Sequence, residues 1–407
     1  MDTTIMNQKA YTRKLAVKVA EYASSKENYL TINRWNDVND LKKPDRAPVW
    51  CKPVGAWHEI IPKNSLYCSD PFMRSIELEL KKILYKIDIG DDTPVYNYYP
   101  VNTVWEFSPS DGYGIKTERN SSNKEGGAWG YVPSVKGYED IKKLVIPDLF
   151  INEVKTRETL EKSFDILGDI LPVKLVHELP ANAIVGHDAA GMRGLEGLMM
   201  DTVLEPELLH ALISYIRDRV LYLFKKAESM GKITPNNMGS MYQCNSFGPE
   251  PKDGKFSLKN CWCAANSQEF DQVSPESWEE FCLNYQKPIF DLFGYVAYGC
   301  CENLTKKVDS VLTIPNLRIL VCSAWTNLDV IIEKSKKDYV IMWRQKASDV
   351  LYTDDINKIR QDLIEGCKKL KYSYYQIVLR EIETLFGHTK RLHEWTKFAK
   401  EAAWQYS

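Results

Sequence analysis

The sequence predicts an α/β protein folded as a (β/α)8 barrel, and three observations support that prediction. The chain has 407 residues, a length that one barrel domain with extensions commonly reaches. Strand-like and helix-like segments alternate along it, which favours a parallel sheet. In the second half, four short apolar runs are separated by charged, helix-compatible segments, as buried parallel strands require. We therefore expect a single domain over residues 1–407.

The first predicted elements are defined by their end residues. Residues 1–60 show little periodicity and are interpreted as an N-terminal extension of the barrel. Asp70 is a predicted N-cap with Pro71 at the first helical position, and Gly90 is predicted to end that helix. Residues 107–140 are rich in Gly, Ser, Asn and Tyr, and a long stretch of this kind predicts a lid over the barrel mouth.

Two more helices and four strands follow in the predicted order. One helix begins near Pro206 and ends before Gly231, and another extends from Ser274 to Gly294. The predicted strands of the second half are residues 295–299, 318–322, 339–343 and 375–379.

Residues that follow these strands are the first candidates for a functional site, because the loops after barrel strands form the catalytic face. A carboxylate at the end of a buried strand must be paired, ligated or catalytic, which singles out Glu302. Buried thiols also serve as small hydrophobic residues, so core packing is the alternative for the cysteines. The candidates are Cys300, Cys301 and Glu302, then Cys322 and Trp325, and then Trp343, Arg344 and Lys346.

Four earlier positions are further candidates. His187 stands beside Asp188, and a histidine next to a carboxylate serves acid–base chemistry or metal ligation; a purely structural histidine is the alternative. Gln268 and Glu269 follow another apolar run, and Asn245 occupies an analogous place, where an ordinary loop end is the alternative. The glycines around His187 lack the spacing of a phosphate-binding loop, so no nucleotide is implied.

Composition and charge exclude several classes of function. Lys and Arg total 53 against 55 Asp and Glu, and neither sign forms long blocks, so no nucleic acid or membrane surface is indicated as a partner. No run approaches the ~20 apolar residues of a membrane span, and the N-terminus lacks the apolar core of a signal peptide. We expect a cytoplasmic protein with reduced cysteines and a small-molecule substrate.

The second half reads FDQVSPESWEEFCLNYQKPIFDLFGYVAYGCCENL, then IPNLRILVCSAWTNLDV and finally IVLREIETLFGHTKRLHEWTKFAKEA. These segments resemble the uroporphyrinogen decarboxylase-like superfamily, which contains the decarboxylase, cobalamin-independent methionine synthase and corrinoid-dependent methyltransferases. The resemblance implies a TIM barrel. It does not choose a reaction, because the superfamily includes decarboxylases and methyltransferases.

The resemblance to the decarboxylase branch breaks down after Trp50. That branch has two arginines after a Pro-Val-Trp strand, and these hold the substrate's carboxylates. Here Cys51, Lys52 and Pro53 follow, and the next arginine is Arg74. A substrate with eight carboxylates needs fixed, bidentate cations. The sequence therefore predicts that the protein does not decarboxylate uroporphyrinogen, and it favours methyl transfer.

The methyltransferase branch implies a zinc site made of a His-x-Cys element and a later cysteine. Tyr298 stands where the resemblance places the histidine, and we interpret it as a pocket residue. Cys300 or Cys301, with Cys322, remain as implied metal ligands beside Glu302. The corrinoid branch also implies a corrinoid carried by a partner protein. The alternatives are a decarboxylase of a non-porphyrin carboxylate and a non-catalytic barrel that binds a small metabolite.

Overall fold

The structure is a computed structural model that describes residues 3–121, 129–244, 251 and 254–407. The chain divides into two compact units, and each unit is assembled from separate segments. The first unit comprises Met1–Asn102, Val154–Val176 and Lys336–Ser407, and the second comprises Thr103–Glu153 and His177–Ser335.

Strands occur in both units. In chain order they are β1 (Val49–Pro53), β2 (Tyr99–Asn102), β3 (Trp105–Ser108), β4 (Glu118–Ser121), β5 (Trp129–Val132), β6 (Asp148–Ile151), β7 (Val173–Val176), β8 (Trp262–Ala265), β9 (Tyr295–Tyr298), β10 (Leu317–Cys322), β11 (Val340–Gln345) and β12 (Tyr374–Ile382).

The parallel sheet has six strands, three in each unit. In the first unit the order is β1, β12, β11, with Val49 opposite Ile377. In the second unit the order is β8, β9, β10, with Ala265 opposite Tyr298. Strands β9 to β12 coincide with the four apolar runs of the second half, so the predicted α/β class and these four strands are confirmed.

Helices separate most of these strands. No helix among the described residues is long and apolar enough to cross a membrane. The helices are α1 (Thr3–Ala23), α2 (Lys26–Asn39), α3 (Trp57–Ile60), α4 (Pro71–Ile89), α5 (Tyr138–Ile141), α6 (Glu153–Leu167), α7 (Val185–Arg193), α8 (Leu195–Asp201), α9 (Pro206–Ser229), α10 (Pro275–Trp278), α11 (Asn284–Phe290), α12 (Val308–Val311), α13 (Leu328–Ser335), α14 (Ala347–Leu351), α15 (Ile356–Leu370) and α16 (Arg391–Gln405).

The predicted helix ends are confirmed at the residues that were predicted to cap the helices. The Asp70 carboxylate accepts a hydrogen bond from the Met73 N–H at 2.8 Å, and Gly90 ends α4 in the left-handed region with φ of 67°. Ser274 caps α10 in the same way. The helix predicted from Ser274 to Gly294 is interrupted, because a π-helical turn separates α10 from α11.

Residues 3–60 of the predicted extension contain regular secondary structure, namely α1, α2, β1 and α3. Leu15, Ala16 and Val19 of α1 are buried in one apolar cluster with Ile76 and Leu80 of α4. Helix α1 has no acidic residue in its first turn and no basic residue in its last, so the usual sequence signals of helix ends were missing.

A buried carboxylate fixes the beginning of β1 in the first unit. Asp92 accepts hydrogen bonds from the Val49 N–H at 2.7 Å, from Arg46 at 2.6 and 2.8 Å, and from Arg34 at 2.9 Å. Burial alone would raise the pKa of Asp92, but the two guanidinium groups and Lys400 outweigh it and lower that pKa. The network is structural, because the groups that donate hydrogen bonds to Asp92 are all buried.

Candidate functional site

The second unit contains a cavity of about 320 Å3. One wall comes from the hairpin of β4 and β5, and another comes from α7. Its polar lining includes the residues that a small-molecule site uses for orientation and proton transfer. They are Tyr113, Glu118, Arg119, Tyr131, His187 and Asp188.

The β4–β5 hairpin places a cation at the cavity wall. Arg119 and Tyr131 are directly opposite each other in the antiparallel register. The Arg119 guanidinium lies 5.3 Å from the centre of the Tyr131 ring, a cation–π arrangement that holds the charge at this wall. Both residues fall within the 107–140 stretch that was predicted to be a lid, and residues 122–128 of that stretch lie outside the described residues.

His187 contacts a carboxylate and a phenol hydroxyl group. Its Nδ1 lies 3.4 Å from Glu269 Oε1 and 3.1 Å from the Tyr131 hydroxyl oxygen. The hydrogen bond with Glu269 raises the pKa of His187, with support from the Asp188 charge, while burial and Arg119 act in the opposite direction. His187 therefore holds its proton at a higher pH than an ordinary imidazole does.

Asp188 supplies a second carboxylate beside His187. Burial raises the pKa of Asp188, while the Arg219 charge, His187 and a hydrogen bond with Tyr113 oppose that rise. Arg219 is itself fixed: its guanidinium lies 4.1 Å from the centre of the Tyr113 ring, and its Nε donates to the Gly112 carbonyl at 2.7 Å. The charge on His187 is thus favoured by two carboxylates, Glu269 through a hydrogen bond and Asp188 through its charge.

Glu302 is buried and accepts main-chain hydrogen bonds. Its two carboxylate oxygens accept from the Ser267 N–H at 2.8 Å and from the Cys300 N–H at 2.9 Å. Burial raises the pKa of Glu302 to about 7, although those N–H donors act against the rise. The side chain joins the ends of β8 and β9, and it is poised to titrate near neutral pH.

The candidate metal ligands fall into two places. Cys300 Sγ and Cys301 Sγ are 3.6 Å apart just after β9, and Cys301 is half-buried. Cys322 is buried after β10, where its thiol contacts the Thr326 carbonyl at 3.6 Å and burial raises its pKa to about 12. Within the described ranges, neither Cys322 nor Glu302 places a ligand atom within 4.8 Å of both sulfurs.

The other candidates of the second unit lie in three different environments. Tyr298 is completely buried, and its hydroxyl donates to Gln286 Oε1 at 3.0 Å. Gln268 and Trp325 are exposed. Asn245 lies outside the described residues.

Three candidates belong to the first unit. Trp343 is half-buried, and its ring lies directly against the backbone of α15 at Gly366. Arg344 is buried and forms an ion pair with Glu381 at 3.2 Å. Lys346 is exposed and precedes α14.

The structure therefore joins two predicted residues, His187 and Glu269, that are far apart in sequence, and it adds Arg119, Tyr131 and Tyr113. Arg119 and Tyr131 were missed as site residues because β4 and β5 lack a clear strand pattern, and Tyr113 lies in the loop before β4, where no pattern marks it. The predicted lid was the one signal near all three. Comparison with protein-family models and with curated proteins finds no match.

Proposed function

We propose that the protein is an enzyme that performs acid–base chemistry on a small anionic substrate in the cavity of the second unit. The observation that carries the proposal is the 3.4 Å contact between His187 Nδ1 and Glu269 Oε1 at a cavity that Arg119 also lines. A histidine with a carboxylate partner moves protons near neutral pH, and a guanidinium suits a carboxylate substrate. A volume of about 320 Å3 is at the low end for small-molecule sites, which argues against a tetrapyrrole.

Among the reactions that the resemblance implies, decarboxylation of a small, non-porphyrin carboxylate makes the best use of these groups. The bond between the carboxylate carbon and its neighbour breaks, CO2 leaves, and the electron pair stays on the substrate carbon. Protonated His187 then donates its proton to that carbon, and Glu269 stabilises the imidazolium beforehand. A complete (β/α)8 barrel of the uroporphyrinogen decarboxylase-like superfamily is part of the proposal, supported by the six parallel strands.

The test is CO2 release from a panel of small mono-, di- and tricarboxylic acids. With an active acid in hand, we expect His187→Gln and Glu269→Gln each to lower kcat by about 10²-fold, the usual share of general acid–base catalysis. His210→Gln is the matched control, because His210 pairs with Glu280 at 3.2 Å and does not line the cavity. A panel without CO2 release, or a His187→Gln enzyme with wild-type kcat, would overturn the proposal.

A second candidate function, zinc-dependent methyl transfer, is favoured by the sulfur pair. Two thiolates bound to one tetrahedral zinc at about 2.3 Å would be about 3.8 Å apart. Cys300 Sγ and Cys301 Sγ are 3.6 Å apart, so they suit two positions on one ion. Zinc there would activate a thiol substrate as a nucleophile, and in the corrinoid branch the methyl group would pass to or from a corrinoid on a partner protein.

Elemental analysis of the purified protein tests this second candidate. Close to one zinc per chain is expected, with lower occupancy in Cys300→Ser and Cys301→Ser because serine is a poor zinc ligand. Cys282→Ser is the control, since Cys282 is a buried thiol of the same unit in the π-helical turn. Zinc-free protein, or unchanged zinc in both variants, contradicts this candidate.

A further inference from the structure

Glu269, the partner of His187, is carried by a single turn. It lies in the 3-10 turn Gln268–Phe270 between β8 and α10. A single turn has too few internal hydrogen bonds to fix a side chain by itself. The position of Glu269 must therefore depend on what holds the turn from outside.

Lys307 holds that turn through two main-chain carbonyls. Its side chain is buried, and its Nζ donates to the Phe270 carbonyl at 2.7 Å and to the Asp271 carbonyl at 3.2 Å. These carbonyls directly follow Glu269 in the chain. A buried ammonium is costly, so its retention at this position indicates that its hydrogen bonds have a specific role.

The charges around Lys307 are compatible with an ammonium group. Burial lowers the pKa of Lys307, while Asp271, Glu302 and Cys282 oppose that decrease. The Nζ also lies 5.5 Å from the centre of the Trp278 ring, a distance at which a cation is attracted to the aromatic face.

Helix α7 also packs closely against this turn. A Cβ atom at Gly186 would lie 3.2 Å from Glu269 Oε2 and 3.2 Å from two carbons of the Phe270 ring. The absence of a side chain at Gly186 thus lets His187, the next residue, come close to Glu269. Lys307 and Gly186 therefore both contact the turn that carries Glu269.

We propose that Lys307 is a positioning residue, which fixes Glu269 against His187 by holding the carbonyls of residues 270 and 271. The catalytic meaning of this role rests on the proposed function. The contact between Lys307 and the turn exists in the folded protein without a substrate, so its effect on Glu269 is independent of the reaction.

The test is the pKa of His187, measured from its ring C–H resonances by NMR titration of the full chain. Tyr131, Asp188, Arg119 and Glu269 are the polar groups that face His187, and only Glu269 is disturbed by the variants. We expect Glu269→Gln to lower the His187 pKa. Lys307→Met should lower it in the same direction, because the released turn lets the carboxylate move away.

Lys287→Met is the matched control, since Lys287 is a lysine of the same unit that bonds to Asn284 and does not touch the turn. In the Lys287→Met variant, the pKa of His187 should equal that in the wild type. If Lys307→Met does not fold, Lys307→Gln replaces it; the amide side chain is one atom shorter, and the same fall is expected. A folded Lys307 variant with a wild-type His187 pKa would overturn the proposal.

The proposed function can fail separately from this inference. If no carboxylic acid is decarboxylated and Lys307→Met still lowers the His187 pKa, the positioning role stands and the reaction is different. If an acid is decarboxylated, Lys307→Met should lower kcat more than it changes KM and should shift the pH profile. Lys307→Arg, which keeps the charge and its donors, should recover part of that loss.

Discussion

At the scale of single residues, several buried ionisable side chains are held by fixed hydrogen-bond donors and acceptors. Asp92 accepts from two arginines and a main-chain N–H, Glu302 accepts from two main-chain N–H groups, and Lys307 donates to two carbonyls. A buried charge that loses its partner costs far more than the intact pair contributes. Single substitutions at these residues should therefore have large and measurable effects.

Asp92→Asn should destabilise the protein by about 3–5 kcal/mol, because it leaves Arg46 buried without its counter-charge and removes one of the two carboxylates that pair with Arg34. Urea unfolding measures the change. Asp88→Asn is the control, since Asp88 is exposed and pairs with His393 at the surface. Similar losses for both variants would show that the Asp92 network contributes little.

The raised pKa of His187 makes part of the stability depend on pH. A histidine with a raised folded-state pKa adds stability that is complete below its unfolded pKa and is lost as the pH rises through its folded pKa. The stability advantage of the wild type over His187→Gln should therefore decrease between about pH 6 and pH 9. His187 is partly exposed, so the decrease should be a few tenths of a kcal/mol. Urea unfolding of both proteins at the two pH values measures it, and a constant difference would contradict it.

Close packing at the element scale depends on single glycines. A Cβ atom at Gly366 of α15 would overlap the Trp343 ring of β11, so strand and helix meet where the helix has no side chain. Gly186 serves the same purpose between α7 and the turn that carries Glu269. At such positions the smallest added group must displace its neighbour.

Gly366→Ala should destabilise the protein by about 1–3 kcal/mol through overpacking. Trp343→Phe should be destabilising by itself, and the double variant should lose less than the sum of the two, because the smaller ring makes room for the methyl group. Urea unfolding of the four proteins gives the coupling. Gly137→Ala is the control, since nothing lies within 4 Å of a Cβ atom there. If the free-energy losses of the two single variants add up to that of the double variant, Gly366 and Trp343 are not in the close contact described.

Sequence patterns located elements better than they located the site. Apolar runs predicted β9 to β12, and Asp70, Pro71 and Gly90 predicted α4, because these signals are local. His187 and Glu269 were each singled out, but their contact is tertiary and no local pattern encodes it. The β4–β5 wall was missed for a related reason: each strand has only four residues, β4 is polar, and the pairing places Arg119 opposite Tyr131.

At the scale of the whole molecule, each unit draws on distant parts of the chain. The first unit needs three segments, and its sheet places β12 between β1 and β11. Removal of the chain end would therefore remove a central strand of this unit and leave both neighbours without their partner.

A chain that ends at Leu370 lacks β12 and α16, and we expect its first unit to be unfolded. Hydrogen exchange of β1 and β11 measures this, because their amides should lose protection. A chain that ends at Gln405 keeps α16 and is the control. Protected amides in β1 of the shorter chain would show that β12 is not required.

The pairing of β1 with β12 also has a consequence for biosynthesis. Residues Val49–Pro53 leave the ribosome long before their partner Tyr374–Ile382 is made. At ~5–20 residues per second, the ribosome needs roughly 16 to 64 s to make the chain between them. For that interval the apolar strand VWCKP has an open edge, which is a template for incorrect pairing. We therefore expect chaperones that cover exposed apolar segments to bind the nascent chain, and faster synthesis to shorten its exposure.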